Sequence, residues 1–257
     1  SAAGRPPDAD RGTIDPAILQ IDETRYLGTE LPGETRLIDE TGRPFALREW
    51  MGKPLILLLS YYGCDGTCPA MNASLARVLR EVKRFRLGTD YRVLTVSFDP
   101  KDTPQAASDF LAKTGAVPEE MRAGWRHAVL SDAAAGIERF TASVGFRFFW
   151  SETDGVFLHP NVLVFLTPEG RVARYIYGMR MDARTVELAL IDADWNRIAN
   201  STAVFDILTG ACFSYNYAEG RYQLNYPLII GAASWLLGIT LMVGGAWAYR
   251  RRRVRGS

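Results

Sequence analysis

The sequence is poor in cysteine and histidine, and its charges nearly cancel. Its 257 residues include three cysteines and two histidines. Three cysteines are too few for a disulfide scaffold and cannot all pair with one another. The formal net charge is +1, so no bulk electrostatic argument points to nucleic acid as a partner. Because 47% of the residues are hydrophobic, the chain can build a real core in one large or two small domains.

Two of the cysteines, Cys64 and Cys68, stand close together at a predicted turn from strand to helix. They follow the apolar run 55–59 and precede a helical pattern that begins at Pro69. The N-terminus of a helix favours thiolates, which attack disulfides and bind soft metals. Three interpretations follow: buried structural thiols, a dithiol redox site, or a soft-metal site suited to copper(I). A third ligand would decide between the last two.

The pattern along the chain alternates strands with helices. Apolar runs predict buried strands, and apolar residues at three- and four-residue spacing predict amphipathic helices. Thr103 and Pro104 are placed as the N-cap and first residue of a helix. This order predicts parallel pairing through right-handed crossovers. The predicted strands are 55–61, 91–98, 125–130 and 159–166, with hairpins at 37–45, 146–158 and 159–177; the predicted helices are 69–86, 132–144, 182–198 and one from 104.

The last part of the sequence changes character. Residues 228–249 contain no charged side chain, and 22 helical residues span roughly 33 Å, enough for one membrane crossing. Five arginines follow within residues 250–255. The positive-inside tendency predicts a cytoplasmic C-terminus, with the cysteines facing outward, in the periplasm if the protein is bacterial. Membrane lipid is therefore an expected partner.

The two histidines occupy different kinds of position. His159 precedes Pro160 at the entrance of a strand, where its side chain could reach a neighbouring turn. From position alone, a structural histidine and a metal ligand are equally good interpretations. His127 lies within a strand pattern and is interpreted as an ordinary strand residue.

The ordered motifs resemble those of the Sco/SenC family. They are Cys64-x-x-x-Cys68-Pro69 after an apolar strand, the stretch from Val96 to Pro104 after the next strand, and His159 before a Leu-Val-Phe-Leu strand that ends in Thr-Pro-Glu-Gly. The resemblance covers roughly residues 30–195. It implies a thioredoxin-like copper protein that assists assembly of cytochrome c oxidase. It also implies Cys64, Cys68 and His159 as the copper ligands, for Cu(I) or Cu(II), and the binuclear copper centre of oxidase subunit II as recipient.

Some features depart from the family pattern. Many members carry an aspartate immediately before the ligand histidine, whereas Leu158 stands there in this chain; Asp154 is a candidate partner for the imidazole. Pro160 resembles the cis-proline that precedes the strand facing the cysteines of thioredoxins, and a cis bond would suit either a ligand or a thiol reductase. The anchor is C-terminal, as in some bacterial members in which a cysteine and tyrosines precede the crossing.

Other side chains have less specific interpretations. Cys212 is interpreted as a free buried thiol beside the membrane, with an extra copper ligand or a disulfide to a partner as alternatives. Met179 and Met181 are soft donors that more often serve packing. Asp99 and Asp102 are expected to order the loop beside the site, because carboxylates are hard ligands that match copper(I) poorly.

The sequence therefore predicts an α/β, thioredoxin-like domain with one C-terminal transmembrane helix. The predicted parts are a flexible arm (1–29), the domain (30–199), a juxtamembrane linker (200–227), the membrane helix (228–249) and a cytoplasmic basic tail (250–257). The favoured function is a membrane-anchored copper metallochaperone for oxidase assembly, which is not a conventional enzyme. The alternatives are a membrane-tethered thiol-disulfide oxidoreductase and an accessory subunit of a respiratory membrane complex.

Overall fold

The computed structural model describes residues 20–64, 66–152, 154–178 and 181–199, with 213–216, 221–224 and seven single positions between 230 and 244. The chain divides into two compact units, Ser1–Asn200 and Ser201–Ser257. The helices of the first unit are α1 (Glu23–Tyr26), α2 (Leu47–Trp50), α3 (Thr67–Glu81), α4 (Pro104–Thr114), α5 (Ala133–Ser143) and α6 (Ala183–Asp194). Its strands are β1 (Arg36–Asp39), β2 (Pro44–Ala46), β3 (Leu55–Ser60), β4 (Arg92–Ser97), β5 (Trp125–Leu130), β6 (Phe149–Ser151), β7 (Val156–Leu158), β8 (Val162–Leu166) and β9 (Val172–Tyr177).

A seven-stranded mixed sheet forms the centre of the first unit, in the order β2-β1-β5-β4-β3-β8-β9. Strands β3, β4 and β5 run parallel, as the alternation of strands and helices predicts. Strand β8 pairs with β3 in the opposite direction, with Leu58 opposite Leu163. Every residue of β3 is buried. Its unbroken apolar run is typical of a central strand that is covered on both faces of the sheet. The predicted hairpins β1–β2, β6–β7 and β8–β9 are confirmed.

Helix ends follow the capping chemistry of the sequence. Thr103 Oγ1 accepts the N–H of Ala106 at 3.1 Å, and Pro104 is the first residue of α4, as predicted. Helix α3 stops at Glu81, short of the predicted end at residue 86. A separate turn takes over, in which Asp90 Oδ2 accepts the N–H of Arg86 at 2.7 Å. That side chain gives the backbone an alternative to helical hydrogen bonds.

Residues 20–29, assigned above to the arm, carry structure where they are described. Helix α1 lies here, and Ile21 is buried in the core. The Gly28 N–H donates to the Val172 carbonyl at 2.8 Å, and the Val172 N–H donates to Thr29 at 2.9 Å. The predicted boundary at residue 30 therefore falls inside hydrogen-bonded structure. This structure could not be predicted from hydrophobic periodicity, because α1 has only four residues and the pairing with Val172 involves only Gly28 and Thr29.

The second unit contains an antiparallel hairpin of β10 (Phe213–Asn216) and β11 (Arg221–Leu224). Within the part of the chain that the structure describes, no helix combines the length and apolarity that a membrane crossing needs. Most of the predicted span 228–249 lies outside the described residues, so the crossing stays a prediction. Cys212, Met179, the tail 250–257 and residues 1–19 of the arm also lie outside them.

Candidate metal centre

The cysteine pair lies at the turn between β3 and α3, as predicted. Cys64 is half-buried in the loop after β3, and Cys68 is buried in the first turn of α3. Neither is in a disulfide. The N-cap residue of α3, Gly66, has no side chain to cap the helix. The Cys64 sulfur instead accepts the N–H of Cys68 at 3.5 Å, so a ligand sulfur takes the capping role.

The antiparallel pairing of β8 with β3 brings His159 to the cysteines. His159 Nε2 lies 3.9 Å from Cys68 Sγ, although 91 positions separate the two residues in sequence. No peptide bond in the described residues is cis, and the bond between His159 and Pro160 is therefore trans. His159, the third predicted ligand, therefore lies at the site although the bond before Pro160 is not cis.

A carbonyl fixes the orientation and the tautomer of the His159 ring. His159 Nδ1 lies 3.1 Å from the Pro160 carbonyl oxygen, which can only accept, so Nδ1 carries the proton and Nε2 keeps its lone pair toward Cys68. Asp154 does not take this role: its carboxylate accepts from Ser151 Oγ at 2.7 Å in the turn between β6 and β7. The candidate partner from the sequence is therefore replaced by the backbone.

Aromatic rings surround the imidazole. The ring centroids of Phe98, Phe146 and Tyr61 lie 5.1, 5.9 and 6.2 Å from that of His159. Burial among them lowers the pKa of His159, against the opposing effects of the Pro160 carbonyl and the charge on Cys64. A neutral imidazole with a free Nε2 lone pair is the form that binds a metal ion.

The two thiols differ in acidity because one hydrogen-bonds to the other. The hydrogen bond from the Cys68 side chain, with the N–H groups of Cys68 and Gly66, lowers the pKa of Cys64 to about 5 despite partial burial. The same hydrogen bond, followed by burial, raises the pKa of Cys68, and a contact with Ser60 opposes this rise. At neutral pH the site therefore holds one thiolate, one thiol and one neutral imidazole.

The distance between Cys68 Sγ and His159 Nε2 would allow one metal ion to bind both atoms. Metal–sulfur and metal–nitrogen bonds of about 2.3 and 2.0 Å together reach about 4.3 Å, and Cys68 Sγ and His159 Nε2 are 3.9 Å apart. In the described ranges, no three His, Cys, Asp or Glu side chains are already grouped tightly enough to hold an ion. We therefore expect Cys64, the cap of α3, to turn toward the other two when metal binds.

Asp99 and Asp102 order the loop beside the site, as predicted, and Asp102 also holds the loop that carries the cysteines. Asp102 Oδ2 accepts the N–H of Tyr62 at 2.7 Å and the hydroxyl of Ser97 at 2.5 Å. Burial raises the pKa of Asp102, although both hydrogen bonds oppose the rise. Asp99 Oδ1 accepts the N–H of Lys101 at 2.9 Å. These contacts tie the loop after β3 to the loop after β4.

A buried polar network that the sequence does not predict lies behind Cys68. Asn72 Nδ2 donates to the Cys68 carbonyl at 2.9 Å. Asn72 Oδ1 lies 3.2 Å from Thr95 Oγ1, which donates to it, and 3.1 Å from His127 Nε2. Trp125 Nε1 donates to Thr95 Oγ1 at 2.9 Å. One signal was available: Asn72 follows Cys68 by one helical turn, so it shares the buried face of α3.

The remaining candidates are structural in the described fold. His127 is fully buried, and burial lowers its pKa to about 3. Its Nε2 lies within hydrogen-bond distance of Asn72 Oδ1. This agrees with the interpretation of His127 as an ordinary strand residue. Met181 is buried in the core. Met71, on the buried face of α3, lines a small cavity together with Cys68 and His159.

Comparison with known proteins identifies the family. The SCO1/SenC family profile matches residues 25–190, and no curated protein matches the chain. A protein from Aquifex aeolicus VF5, named for a proposed role in electron transfer, is 32% identical with a TM-score of 0.59, over 66% of this chain and 95% of that one. Arabidopsis thaliana ScoI with copper bound is 22% identical with a TM-score of 0.51, over 65% and 99%.

BsSco, a member of the Sco family of cytochrome c oxidase assembly proteins in which a disulfide switch was identified, is 18% identical with a TM-score of 0.54, over 65% of this chain and 94% of that one. The more distant structures support the fold alone. The predicted mixed α/β, thioredoxin-like fold is confirmed. Because the profile spans more than half of the sequence, the chain belongs to the SCO1/SenC family.

Proposed function

We propose that the protein is a copper-binding assembly factor of cytochrome c oxidase. The observation that carries the proposal is the meeting of Cys68 Sγ and His159 Nε2 at 3.9 Å, with the Cys64 thiolate beside them. Two sulfurs and an imidazole are soft donors that suit copper(I), and the imidazole also suits copper(II). Copper bound in the similar ScoI structure, and the oxidase-assembly role given to the Sco family of BsSco, support the same function.

Copper in this proposal is cargo, and the residues of the chain hold it for transfer. Cys64 and Cys68 would supply the thiolates, and His159 would supply the imidazole nitrogen. The rings of Phe98 and Tyr61 lie against the imidazole, and Cys64 is half-buried. We infer that a recipient approaches from the side of Cys64 and His159, because both are partly exposed whereas Cys68 is buried.

Copper stoichiometry of purified variants tests the proposal. The reduced protein is loaded with copper(I), desalted, and analysed for metal together with the variants Cys64→Ser, Cys68→Ser and His159→Ala. We expect one copper per wild-type chain, loss of stoichiometric binding in either cysteine variant, and a marked weakening in His159→Ala. Cys212→Ser serves as a matched cysteine control and should retain copper. Unchanged copper content in either Cys64→Ser or Cys68→Ser would overturn the site.

A second candidate is a thiol-disulfide oxidoreductase. The depressed pKa of Cys64, about 5, favours it, because a thiolate at neutral pH is the nucleophile of disulfide exchange. Reduction of insulin by the copper-free protein measures this activity. Turnover by wild type, abolished in Cys64→Ser and without retained copper in the loading experiment, would favour the oxidoreductase over the copper carrier.

The proposal also includes a membrane anchor and a periplasmic domain. Its support is the uncharged segment 228–249 followed by arginines at 250–253 and 255, and oxidase subunit II is the proposed recipient. We expect the full chain to stay with membranes after carbonate washing and a chain ending at residue 227 to be released. Protease added to spheroplasts should digest the copper domain; its protection would contradict the proposed orientation.

A further inference from the structure

Among the residues that the structure describes, a buried hydroxyl beside the site, that of Ser60, has no hydrogen-bond partner. Ser60 is the last residue of β3 and is 1% exposed. Its backbone carbonyl accepts the N–H of Phe98 at 2.9 Å, but its hydroxyl finds no hydrogen bond. The Cys68 sulfur lies near enough for Ser60 to lower the pKa of that thiol. A buried hydroxyl without a partner is uncommon in native proteins and calls for an explanation.

The surroundings of Ser60 leave no room for a water molecule that could bind its hydroxyl. Ser60, Cys68 and His159 line one small cavity, whose other walls are built largely by apolar side chains of β3, α3 and β8. This cavity has no room for a water molecule, so water cannot satisfy the hydroxyl. The cavity brings the hydroxyl together with the sulfur and the imidazole of the site. A partner for Ser60 must therefore come from the site itself.

The Cys68 sulfur becomes that partner when it changes charge. A neutral thiol is a weak hydrogen-bond acceptor, whereas a thiolate is a charged one, and hydrogen bonds to charged groups are about twice as strong as neutral ones. Binding to a metal removes the thiol proton and leaves the sulfur with thiolate character. Metal binding would therefore give the Ser60 hydroxyl a charged acceptor at the Cys68 sulfur.

We propose that Ser60 is a positioning residue that donates a hydrogen bond to the Cys68 sulfur when this sulfur binds copper(I). The inference rests on the proposed copper function. The hydroxyl acts through Cys68 and does not bind the metal. It stabilises the loaded site and orients the sulfur toward the side of His159. Because a hydrogen bond to a charged acceptor is worth about one to two orders of magnitude in an equilibrium constant, Ser60 should set a measurable part of the copper affinity.

The test compares Ser60→Ala with wild type in two states. Copper(I) affinity is measured by competition with the chromogenic chelator bicinchoninate, and metal-free stability by urea denaturation. Ser60→Ala should bind copper(I) about tenfold or more weakly, whereas its metal-free stability should be unchanged or raised, because an unpartnered buried hydroxyl is removed. Thr141→Val provides the control: its hydroxyl is buried in α5 and donates to the Ile137 carbonyl at 2.8 Å. The control should lose stability and keep its copper affinity.

A spectroscopic readout separates positioning from general stability. In the copper(II)-loaded protein, a hydrogen bond to the sulfur lowers the energy of the sulfur lone pair, so its loss in Ser60→Ala should move the sulfur-to-copper absorption band to longer wavelength. Equal copper(I) affinity and an unmoved band in Ser60→Ala would overturn the role of Ser60 alone. Failure of wild type to bind copper would overturn the proposed function and this inference with it.

Discussion

Replacing Asn72 with leucine tests the polar network behind Cys68. Leucine matches the branching of asparagine at Cγ but has no donor or acceptor. The substitution removes the partner of two buried donors, Thr95 Oγ1 and His127 Nε2. The Cys68 carbonyl loses the side-chain amide that also donates to it, but it keeps the backbone N–H that α3 supplies one turn later.

The magnitude follows from the two orphaned donors. Each buried donor left without an acceptor costs about 1–3 kcal/mol, and both residues are fully buried, so no water replaces the lost acceptor. Burial of the larger apolar side chain offsets part of this cost. We expect Asn72→Leu to lower the free energy of unfolding by about 3 kcal/mol.

Urea denaturation of the copper-free protein, followed by circular dichroism, measures this loss. The matched partner is His127→Phe, which leaves Asn72 Oδ1 with the Thr95 hydroxyl and keeps a ring stacked on Trp125 at the present centroid distance of 5.7 Å. The double variant should be less destabilised than the sum of the single ones by about 1–2 kcal/mol. Unfolding of Asn72→Leu at the wild-type midpoint, or strict additivity in the cycle, would refute the network.

Three further changes test other parts of the fold. Burial raises the pKa of the Glu23 carboxyl from 4.5 to about 7, although a hydrogen bond from Tyr177 and the charge of Arg174 oppose the rise. The stabilisation that Glu23 gives the fold in its protonated form is therefore complete below pH 4.5 and is lost as pH rises through 7. Glu23→Gln should remove about 1 kcal/mol of this pH dependence after allowance for partial exposure, as shown by denaturation at pH 5 and 8; parallel curves for the two proteins would contradict it. In the reduced, copper-free protein, iodoacetamide should alkylate Cys64 with a rate that reaches half its maximum near pH 5; mass spectrometry checks this, and a rate still rising at pH 8 would speak against the thiolate. Gly145→Ala should lower the melting temperature more than Gly42→Ala, because both glycines have positive φ but only the first would place a Cβ 2.4 Å from Tyr26, whereas the second meets nothing within 4 Å.

The trio of site residues was predictable because each member stands at an end of a strand or helix that its own neighbours define. The apolar run 55–59 fixes β3, so Cys64 and Cys68 fall at its carboxyl end and at the start of α3. His159 precedes β8, which is equally apolar. The sequence does not state that β8 pairs with β3, and only the motif resemblance supplied this neighbourhood before the structure did.

The support of the site was less predictable, because it comes from residues that are far apart in sequence. The Pro160 carbonyl replaces the expected carboxylate as partner of the imidazole, and a backbone group leaves no trace in residue type. Asn72 and Thr95 read as ordinary polar residues until β4 is placed behind α3. Asp102 was more accessible to prediction, since it lies in a loop whose turn residues mark it as structural.

The pairing of β3 with β8 has a consequence for the order in which the protein is made. Closing a loop between distant residues costs entropy, so contacts across long sequence separations form late. A chain still emerging from the ribosome, and not yet synthesised as far as His159, carries both cysteines without the imidazole that lies 91 positions beyond Cys68. The three proposed ligands can therefore be brought together only after translation has passed β8.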